Sequence, residues 1–296
     1  MNYYDEIKNK IINNEIYNKV KDYSKERNKV ITYFEIGKLL EEAGSKYGDD
    51  IIGEYSNKLV QEVGKKYNKR TLFRMKQFYN VFSNEKVSTM WTQLTWSHYR
   101  EVLSLEDINK ITYYLNICEE QNLSVRELRQ KIKSDEYERL DEETKTKLKI
   151  KEELKVPDLV KNPIQIKNKV GYNEISEKVL QKLILEDIPS FLKELGNGFS
   201  FIDSEYKIKM GDRYNYIDLL LFNIEHNCYV VVELKVTELK KEHIGQVEFY
   251  MNYIDNNLKK LSQDKTIGII ICKKENKYVI EYCSDDRIIS REYELI

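Results

Sequence analysis

The fold of the second half of this 296-residue chain depends on two stretches, YNYIDLLLF (214–222) and CYVVVELKV (228–236). Apolar runs of this length, rich in β-branched and aromatic residues and separated by a short polar segment, predict neighbouring β-strands. A charged residue nevertheless interrupts each run: Asp218 in the first, and Glu233 with Lys235 in the second. The two stretches therefore predict adjacent strands that carry charges inside an apolar sheet.

Further strand-like and helical segments surround these two stretches. Helical periodicity covers 173–195, where Pro189 is expected to kink or split the helix, and also 243–261. Gly211–Asp212 predicts a hairpin turn before the first stretch. The order of helix, three strands, helix and strands predicts an α/β layer with a mixed sheet. The remaining predicted strands are FSFIDSEYKIKM (199–210), TIGIIICK (266–273) and YVIEYC (278–283).

The first half of the chain has the apolar spacing of helices, without competing strand alternation. Asn68 is a predicted helix N-cap, and Ser124 with Glu127 predicts a capping box. Residues 141–170 are rich in charge and contain two of the three prolines, so they predict a linker. We therefore expect an all-α domain over 1–140, a charged linker over 141–170, and a mixed-sheet domain over 171–296.

Composition excludes several classes of protein. A mean hydropathy of −0.64 and the lack of any apolar run of about 18 residues argue against a membrane protein. The start, MNYYDEIKNK, lacks the apolar region of a signal peptide, which predicts a cytoplasmic protein. No Gly-rich phosphate loop occurs, so no nucleotide cofactor is expected. The four cysteines stand singly, and His98, His226 and His243 are too scattered to suggest a metal or nucleophile site.

The charged residues in the two stretches carry the chemistry. Period-2 alternation places Glu233 and Lys235 on the same strand face. Burying such ions costs several kcal/mol unless they are paired or bind a metal. Two carboxylates on adjacent strands suit Mg²⁺, which would activate a water, and the lysine could stabilise phosphate charge. D-x14-E-x-K is thus a layout for metal-assisted phosphodiester hydrolysis, although E-x-K alone is also common as an ordinary ion pair.

The hairpin, the D…ExK pattern and the following helix resemble the PD-(D/E)xK nuclease superfamily. The similarity is closer to the YhcG-like proteins, which join such a nuclease to an N-terminal helical domain of unknown function. It covers roughly residues 15–285. The segments that carry it in the second half are FLKELGNGFSFI, YIDLLLF, VVELK, GQVEFYMNYID and TIGIIIC. Those in the first half are YFEIGKLL, KYGDDII, KRTLFRMKQFY, LTWSHYREVL and SVRELRQKI.

This resemblance implies a restriction-endonuclease-like fold and a set of site residues. It implies catalytic roles for Asp218, Glu233 and Lys235, and it points to Gln246 and Tyr250, which lie one turn apart on a helix. Mg²⁺ or Mn²⁺ is the implied cofactor, and its ligands would be Asp218, Glu233 and the carbonyl of Leu234. The competing interpretation is that Tyr250 only packs in the core. For Gln246 it is that the residue is an ordinary polar residue of a helix face.

Related nucleases often add a carboxylate from the helix before the sheet. Glu177 and Glu186 are the two candidates in this chain, and the sequence does not decide between them. The family often has Leu-Glu where this chain has Leu180-Gln181, so the chain departs from the pattern at this helix. It also has acidic residues, Asp203 and Glu205, where relatives tend to be basic, which suggests that the nuclease half needs help to hold DNA.

The first half of the chain could help to hold DNA, because it has a net positive charge whereas the second half has a net negative charge. Residues 171–296 have 17 Lys and Arg against 22 Asp and Glu, while 1–170 have 32 against 28. The segment KKYNKRTLFRMKQF (65–78) follows a predicted helix and a turn at Gly64, runs into the next predicted helix and has no acidic residue. It predicts a helix-turn-helix that contacts nucleic acid, with a solvated helix face as the alternative. Its basic residues are Lys65, Lys66, Lys69, Arg70, Arg74 and Lys76.

Together these features predict an α+β multi-domain protein: a Mg²⁺-dependent DNA endonuclease with a helical domain that binds DNA or a protein partner. A homo-oligomer is also compatible with the sequence. Two alternatives stay open, namely a catalytically inactive DNA-binding or interaction protein on a nuclease fold, and a nuclease that acts on RNA.

Overall fold

The computed structural model describes residues 2–19, 25–48, 50–83, 94–150, 152–283 and 285–296. The chain divides into two compact units, Met1–Tyr137 and Glu138–Ile296. Within the described residues, no helix is both long enough and apolar enough to cross a membrane.

The first unit is helical over its described residues, as the sequence predicts. Asn68 caps α4 by accepting a hydrogen bond from the Thr71 backbone N–H at 3.1 Å, and Ser124 forms the predicted capping box with Glu127 at α7. The helices are α1 (Tyr3–Lys19), α2 (Lys25–Tyr47), α3 (Asp50–Glu62), α4 (Lys69–Phe82), α5 (Trp96–Val102), α6 (Ile108–Glu120) and α7 (Val125–Lys133), with a 3₁₀ turn at Lys65–Tyr67.

Aromatic packing holds these helices together. The ring of Phe78 on α4 lies 5.3 Å from that of Trp96 and 5.1 Å from that of Tyr99, both on α5. Helix α2 approaches α4 so closely that a Cβ on Gly37 would lie 2.1 Å from the backbone oxygen of Met75. Glycine at that position therefore sets the spacing of the two helices, because any side chain would force them apart.

The second unit is a six-stranded mixed sheet with the order β1-β6-β5-β4-β3-β2. Strands β2, β3 and β4 run antiparallel, and β4, β5, β6 and β1 run parallel. The strands are β1 (Ile164–Ile166), β2 (Phe199–Met210), β3 (Arg213–Asn223), β4 (Cys228–Glu238), β5 (Asp264–Lys274) and β6 (Ile288–Leu295). The mixed sheet and the predicted hairpin are confirmed.

Helices cover both faces of this sheet. One apolar core lies under α10 (Glu177–Glu186) and α11 (Ile188–Leu195), and a second lies under α12 (Lys241–Asn257) and the short α13 (Lys277–Glu281). The break between α10 and α11 is the one that Pro189 predicts. A Cβ on Gly268 of β5 would lie 2.4 Å from a methyl carbon of Val247, so glycine lets α12 lie close to the sheet.

The segment 141–170, predicted to be a charged linker, is instead part of the folded second unit where the structure describes it. This segment forms α8 (Glu142–Ile150), α9 (Val156–Leu159) and β1, which is an edge strand of the sheet. Arg291 on β6 fixes it by donating hydrogen bonds to the Val160 and Pro157 carbonyls, at 2.8 and 3.1 Å, and to Asp141 at 2.7 Å. The segment therefore belongs to the second unit, and its charges are partners in packing.

The prediction of a strand at 278–283 is wrong. The apolar residues of this segment include Val279 and Ile280, which lie on α13 and pack against the core under α12. The strand that pairs with β5 on the side away from β4 is β6. The sequence did not predict β6, because Arg291 and acidic residues interrupt its apolar pattern.

Candidate active site

Strands β3 and β4 separate at the charged residues. Their registered pairs run from Asn223–Cys228 to Leu219–Val232 and stop before Asp218 and Glu233. The Leu234 N–H then donates a hydrogen bond to Oδ2 of Asp218, at 2.8 Å. The carboxylate of Asp218 is thus held between the two strands where their backbones diverge.

Glu233 and Lys235 lie on one face of β4, as strand alternation predicts. Val231 shares that face and packs under α12, while Val230, Val232 and Leu234 belong to the opposite core. Both charged residues are buried, with 2% and 8% exposure. Nζ of Lys235 donates to Oε1 of Glu233 at 2.7 Å, so each charge is compensated by the other.

The second carboxylate oxygen of Glu233 is the unusual atom of this site. Within the described chain, Oε2 is buried and accepts no hydrogen bond. Burial, followed by the nearby charge of Asp218, raises the pKa of Glu233 to about 7. Burial likewise raises the pKa of Asp218, against the opposing effects of the Leu234 N–H and Lys235. Two desolvated carboxylates close enough to repel each other form a site that favours a cation.

The donors at this site fit a hard divalent cation. Among the residues that the structure describes, no group of three or more His, Cys, Asp and Glu side chains could hold a metal. The candidate ligands that the resemblance implies are two carboxylates and a main-chain carbonyl, from Asp218, Glu233 and Leu234. Mg²⁺ commonly keeps several waters and takes only one or two protein carboxylates, so this set suits it.

The two candidate glutamates of α10 have different positions. Oε1 of Glu177 lies 3.8 Å from Nζ of Lys235. Glu186 is exposed and faces Lys182 of its own helix, at 3.9 Å. It is nine residues from Glu177, which places it roughly 13 Å further along the helix axis. The structure thus brings Glu177 to the site and leaves Glu186 away from it.

Gln181 occupies the position where the chain departs from the family pattern. Its side chain is buried, and its amide donates a hydrogen bond to the backbone carbonyl of Asp218 at 3.0 Å. The sequence signals this residue only as a missing glutamate. In the structure its amide supports the strand that carries Asp218.

Helix α12 faces the charged pair with its polar residues. The amide of Gln246 donates a hydrogen bond to the hydroxyl of Tyr250 at 3.0 Å. Burial raises the pKa of Tyr250, and the charges of Glu233 and Asp218 act in the same direction. Tyr250 is therefore within electrostatic reach of the carboxylates, and Gln246 contacts Tyr250.

His243 is a site neighbour that sequence reasoning missed. Burial lowers its pKa, and so does the charge of Lys235. The backbone N–H of Lys240 lies 3.2 Å from its Nδ1, which leaves Nε2 to donate when the ring is neutral. The spacing of His243 from Gln246 and Tyr250 puts all three on one helix face, and that periodicity could have identified it.

The predicted nucleic-acid-binding residues lie on and before α4 in the first unit. Lys65, Lys69 and Arg70 are exposed. Nζ of Lys66 contacts Glu15 at 2.5 Å, and Nζ of Lys76 lies 3.6 Å from Glu41.

Arg74 is half-buried and has cationic neighbours. Burial lowers the pKa of Arg74, and so do the charges of Arg70 and Arg100. Arg100 is thus a further basic residue of this surface that the sequence did not single out. The helix-turn-helix interpretation stays a prediction.

Two family descriptions match the chain. "YhcG PDDEXK nuclease domain" matches residues 158–295, and "DUF1016 N-terminal domain" matches residues 7–139. A protein of Escherichia coli (strain K12) named as a candidate nuclease, YhcG, is 22% identical over 309 aligned positions, which cover 89% of this chain and 82% of that protein.

Solved structures are also similar to part of the chain. A repair endonuclease from Pyrococcus abyssi has 19% identity and a TM-score of 0.30, and covers 42% of this chain. EndoMS in a complex with double-stranded DNA has 20% identity and a TM-score of 0.29, over the same share. The similar region spans about half of each of those chains, 48% and 47% respectively. The chain belongs to the YhcG-like family, which joins a DUF1016 N-terminal domain to a PDDEXK nuclease domain.

Proposed function

We propose that this nuclease is a divalent-metal-dependent endonuclease that hydrolyses phosphodiester bonds of DNA. The observation that carries the proposal is the buried, unpartnered Oε2 of Glu233 beside the carboxylate of Asp218. A structural ion pair would satisfy both oxygens of the glutamate, because an unmatched buried charge is costly. A site that binds a cation instead keeps one oxygen available.

Asp218, Glu233 and the Leu234 carbonyl would hold Mg²⁺ or Mn²⁺. When bound, such a cation lowers the pKa of water and neutralises charge on phosphate oxygens. The chain's own contribution is to hold the two carboxylates. The Leu234 N–H and the Gln181 amide fix the side chain and the backbone of Asp218, at 2.8 and 3.0 Å.

Lys235 is the cationic group of the proposed centre. Burial acts to lower the pKa of Lys235, but the hydrogen bond and charge of Glu233 outweigh it, so the ammonium stays protonated. An ammonium has three N–H donors, and Glu233 takes one of them. The others are available to orient the attacking water or to stabilise charge that develops on the phosphate.

Helices α10 and α12 would complete the site. The resemblance assigns Gln246 and Tyr250 to it, and their mutual hydrogen bond is consistent with a shared role in positioning water or phosphate. Glu177 would act on Lys235, which it approaches to 3.8 Å. Residues 65–76 of the first unit supply exposed cations that would contact the DNA backbone, and such binding would weaken with salt.

Covalently closed plasmid DNA tests this proposal, because a circle without ends can be cut only by an endonuclease. We expect the full chain to nick or linearise it with Mg²⁺ or Mn²⁺, and to leave it intact in EDTA. Cleavage that is as fast in EDTA would contradict metal dependence. A parallel single-stranded RNA substrate separates the alternatives: cleavage of RNA alone identifies an RNA nuclease, and binding of DNA without cleavage identifies an inactive fold.

A further inference from the structure

A two-stranded arm projects from the sheet beside the candidate site. Strands β2 and β3 pair along almost their whole length, out to Met210–Arg213, whereas β4 pairs with β3 only from Leu219 onward. Residues 206–217 therefore form a hairpin without a third strand, which we call the hairpin arm. Strand β2 is also the edge of the sheet, so its outer side has no strand partner among the described residues.

The two sides of the hairpin arm differ in character. Registered pairs place their side chains on the same side, so Lys207 lies with Tyr216 and Lys209 with Tyr214. The intervening residues point the other way, and among them Ile208 and Ile217 are fully buried in the core under α12. One side thus anchors the arm, and the other presents two lysines and two tyrosines.

The outward side is exposed. Tyr214 and Tyr216 have 50% and 51% exposure, values that are high for large aromatic residues in an ordered strand. Nζ of Lys207 lies 3.9 Å from the ring centre of Tyr214, and that of Lys209 lies 6.0 Å from it. Within the hairpin arm, the tyrosine side is therefore a cationic and aromatic surface that no described strand covers.

This surface leads into the candidate site. Tyr216 precedes Asp218 by two residues on β3, a spacing of about 7 Å along the strand. Strict alternation is interrupted at this point, because Ile217 and Leu220 both pack under α12 whereas Leu219 packs in the opposite core. A polymer bound on Tyr216 would therefore lie beside the strand position of Asp218.

We propose that the hairpin arm binds single-stranded DNA that flanks the bond to be cut. Bases stack on aromatic rings and phosphates contact ammonium groups, which is the combination that the arm presents. In a duplex the base faces are already stacked on each other, so exposed tyrosines gain a partner only from unpaired nucleotides. A base on Tyr214 would displace Lys207 from the ring and leave its ammonium to a phosphate. The inference rests on the proposed nuclease function and adds its substrate class.

The test measures binding by fluorescence anisotropy with the full chain in EDTA, so that cleavage does not interfere. The probes are a labelled 20-nucleotide DNA strand, its duplex and the matching RNA strand. We expect Tyr214→Ala/Tyr216→Ala to weaken binding of the DNA strand about 10-fold or more, from the loss of stacking. Binding of the duplex should change less than about 2-fold.

Two control variants separate stacking from misfolding. Tyr214→Phe/Tyr216→Phe keeps the rings and should retain binding. Tyr278→Ala/Tyr282→Ala removes two tyrosines of 75% and 80% exposure elsewhere and should have no effect. The proposal is overturned if the alanine variant binds the DNA strand normally, if duplex binding falls equally, if the loss is confined to RNA, or if the phenylalanine variant behaves like alanine.

Salt dependence tests the lysines. Lys207→Ala/Lys209→Ala removes two phosphate contacts and should reduce the slope of log K against log salt for the DNA strand by about 1.4. Lys260→Ala/Lys265→Ala removes two exposed lysines, one after the end of α12 and one at the start of β5. It should leave the slope unchanged, and an equal change would overturn the lysine assignment. These binding results are independent of the plasmid assay. If the full chain does not cleave the plasmid but the arm variants change DNA-strand binding as expected, only the nuclease proposal is refuted.

Discussion

Asp218→Asn is expected to reduce DNA cleavage on the order of 1,000-fold or more, and at the same time to stabilise the metal-free protein at pH 8. The asparagine keeps an oxygen that can accept the Leu234 N–H, so the local structure is retained. It removes one of two buried carboxylates that repel each other. Loss of activity together with a gain of stability is characteristic of a charge kept for function.

The stability effect has a defined pH dependence. A carboxyl group whose pKa is raised on folding does not destabilise the folded protein while it is protonated. The free energy of unfolding then falls as the pH rises from the unfolded-state pKa through the folded-state pKa, because the group must ionise in a buried site. For Glu233 that loss occurs between its ordinary value and about 7. Loss of the Asp218 charge should lower the pKa of Glu233. Each unit of that decrease corresponds to about 1.4 kcal/mol in the free energy of unfolding. The gain should therefore appear at pH 8 and be absent at pH 4.

Thermal unfolding in EDTA at the two pH values measures this effect. Asp264→Asn, at the exposed start of β5, is the matched control and should change neither stability nor cleavage. A variant that keeps wild-type cleavage would refute the role of Asp218 as a cation ligand. A variant that unfolds more easily at pH 8 would show that the carboxylate is a structural partner instead.

Lys235→Met is expected to abolish cleavage as well, but with the opposite effect on stability. It removes the ammonium that pairs with Oε1 of Glu233 and leaves both oxygens of that buried carboxylate without a partner. Breaking a buried pair from one side costs about 3–5 kcal/mol. Protonation of Glu233 limits the cost at low pH, so the destabilisation should be larger at pH 8 than at pH 5.

Urea unfolding at both pH values checks this prediction, and Lys193→Met on α11 is the control for a lost surface lysine. The double variant Glu233→Gln/Lys235→Met should recover much of the stability without recovering cleavage, because the unmatched charge of Glu233 is then absent. Recovery of cleavage in the double variant, or equal destabilisation at both pH values, would contradict the assigned pairing.

The sequence predicted the central features of the site because they depend on local patterns. Strand alternation placed Glu233 and Lys235 on one face, and the structure has them 2.7 Å apart. It could not predict the role of 141–170, because this segment is held by hydrogen bonds to Arg291, some 130 to 150 residues away. The composition of that segment shows that it is charged, but not which distant residues its groups bind.

Long-range placement also explains what sequence reasoning left open at the helices. Glu177 and Glu186 share one short helix, and only the position of α10 on the sheet brings Glu177 to Lys235. Gln181 could be identified only as a departure from a pattern, because its partner is the backbone of a strand 37 residues later. His243 was dismissed on its separation from other histidines, although its neighbours at the site are a lysine and a glutamate.

The most direct test of the central claim is a crystal of the full chain soaked in Mn²⁺ and measured for anomalous scattering. We predict a peak bounded by the carboxylates of Asp218 and Glu233 and the carbonyl of Leu234, within coordination distance of their oxygens. A map with no peak there, and with Oε2 of Glu233 hydrogen-bonded to the protein, would contradict it.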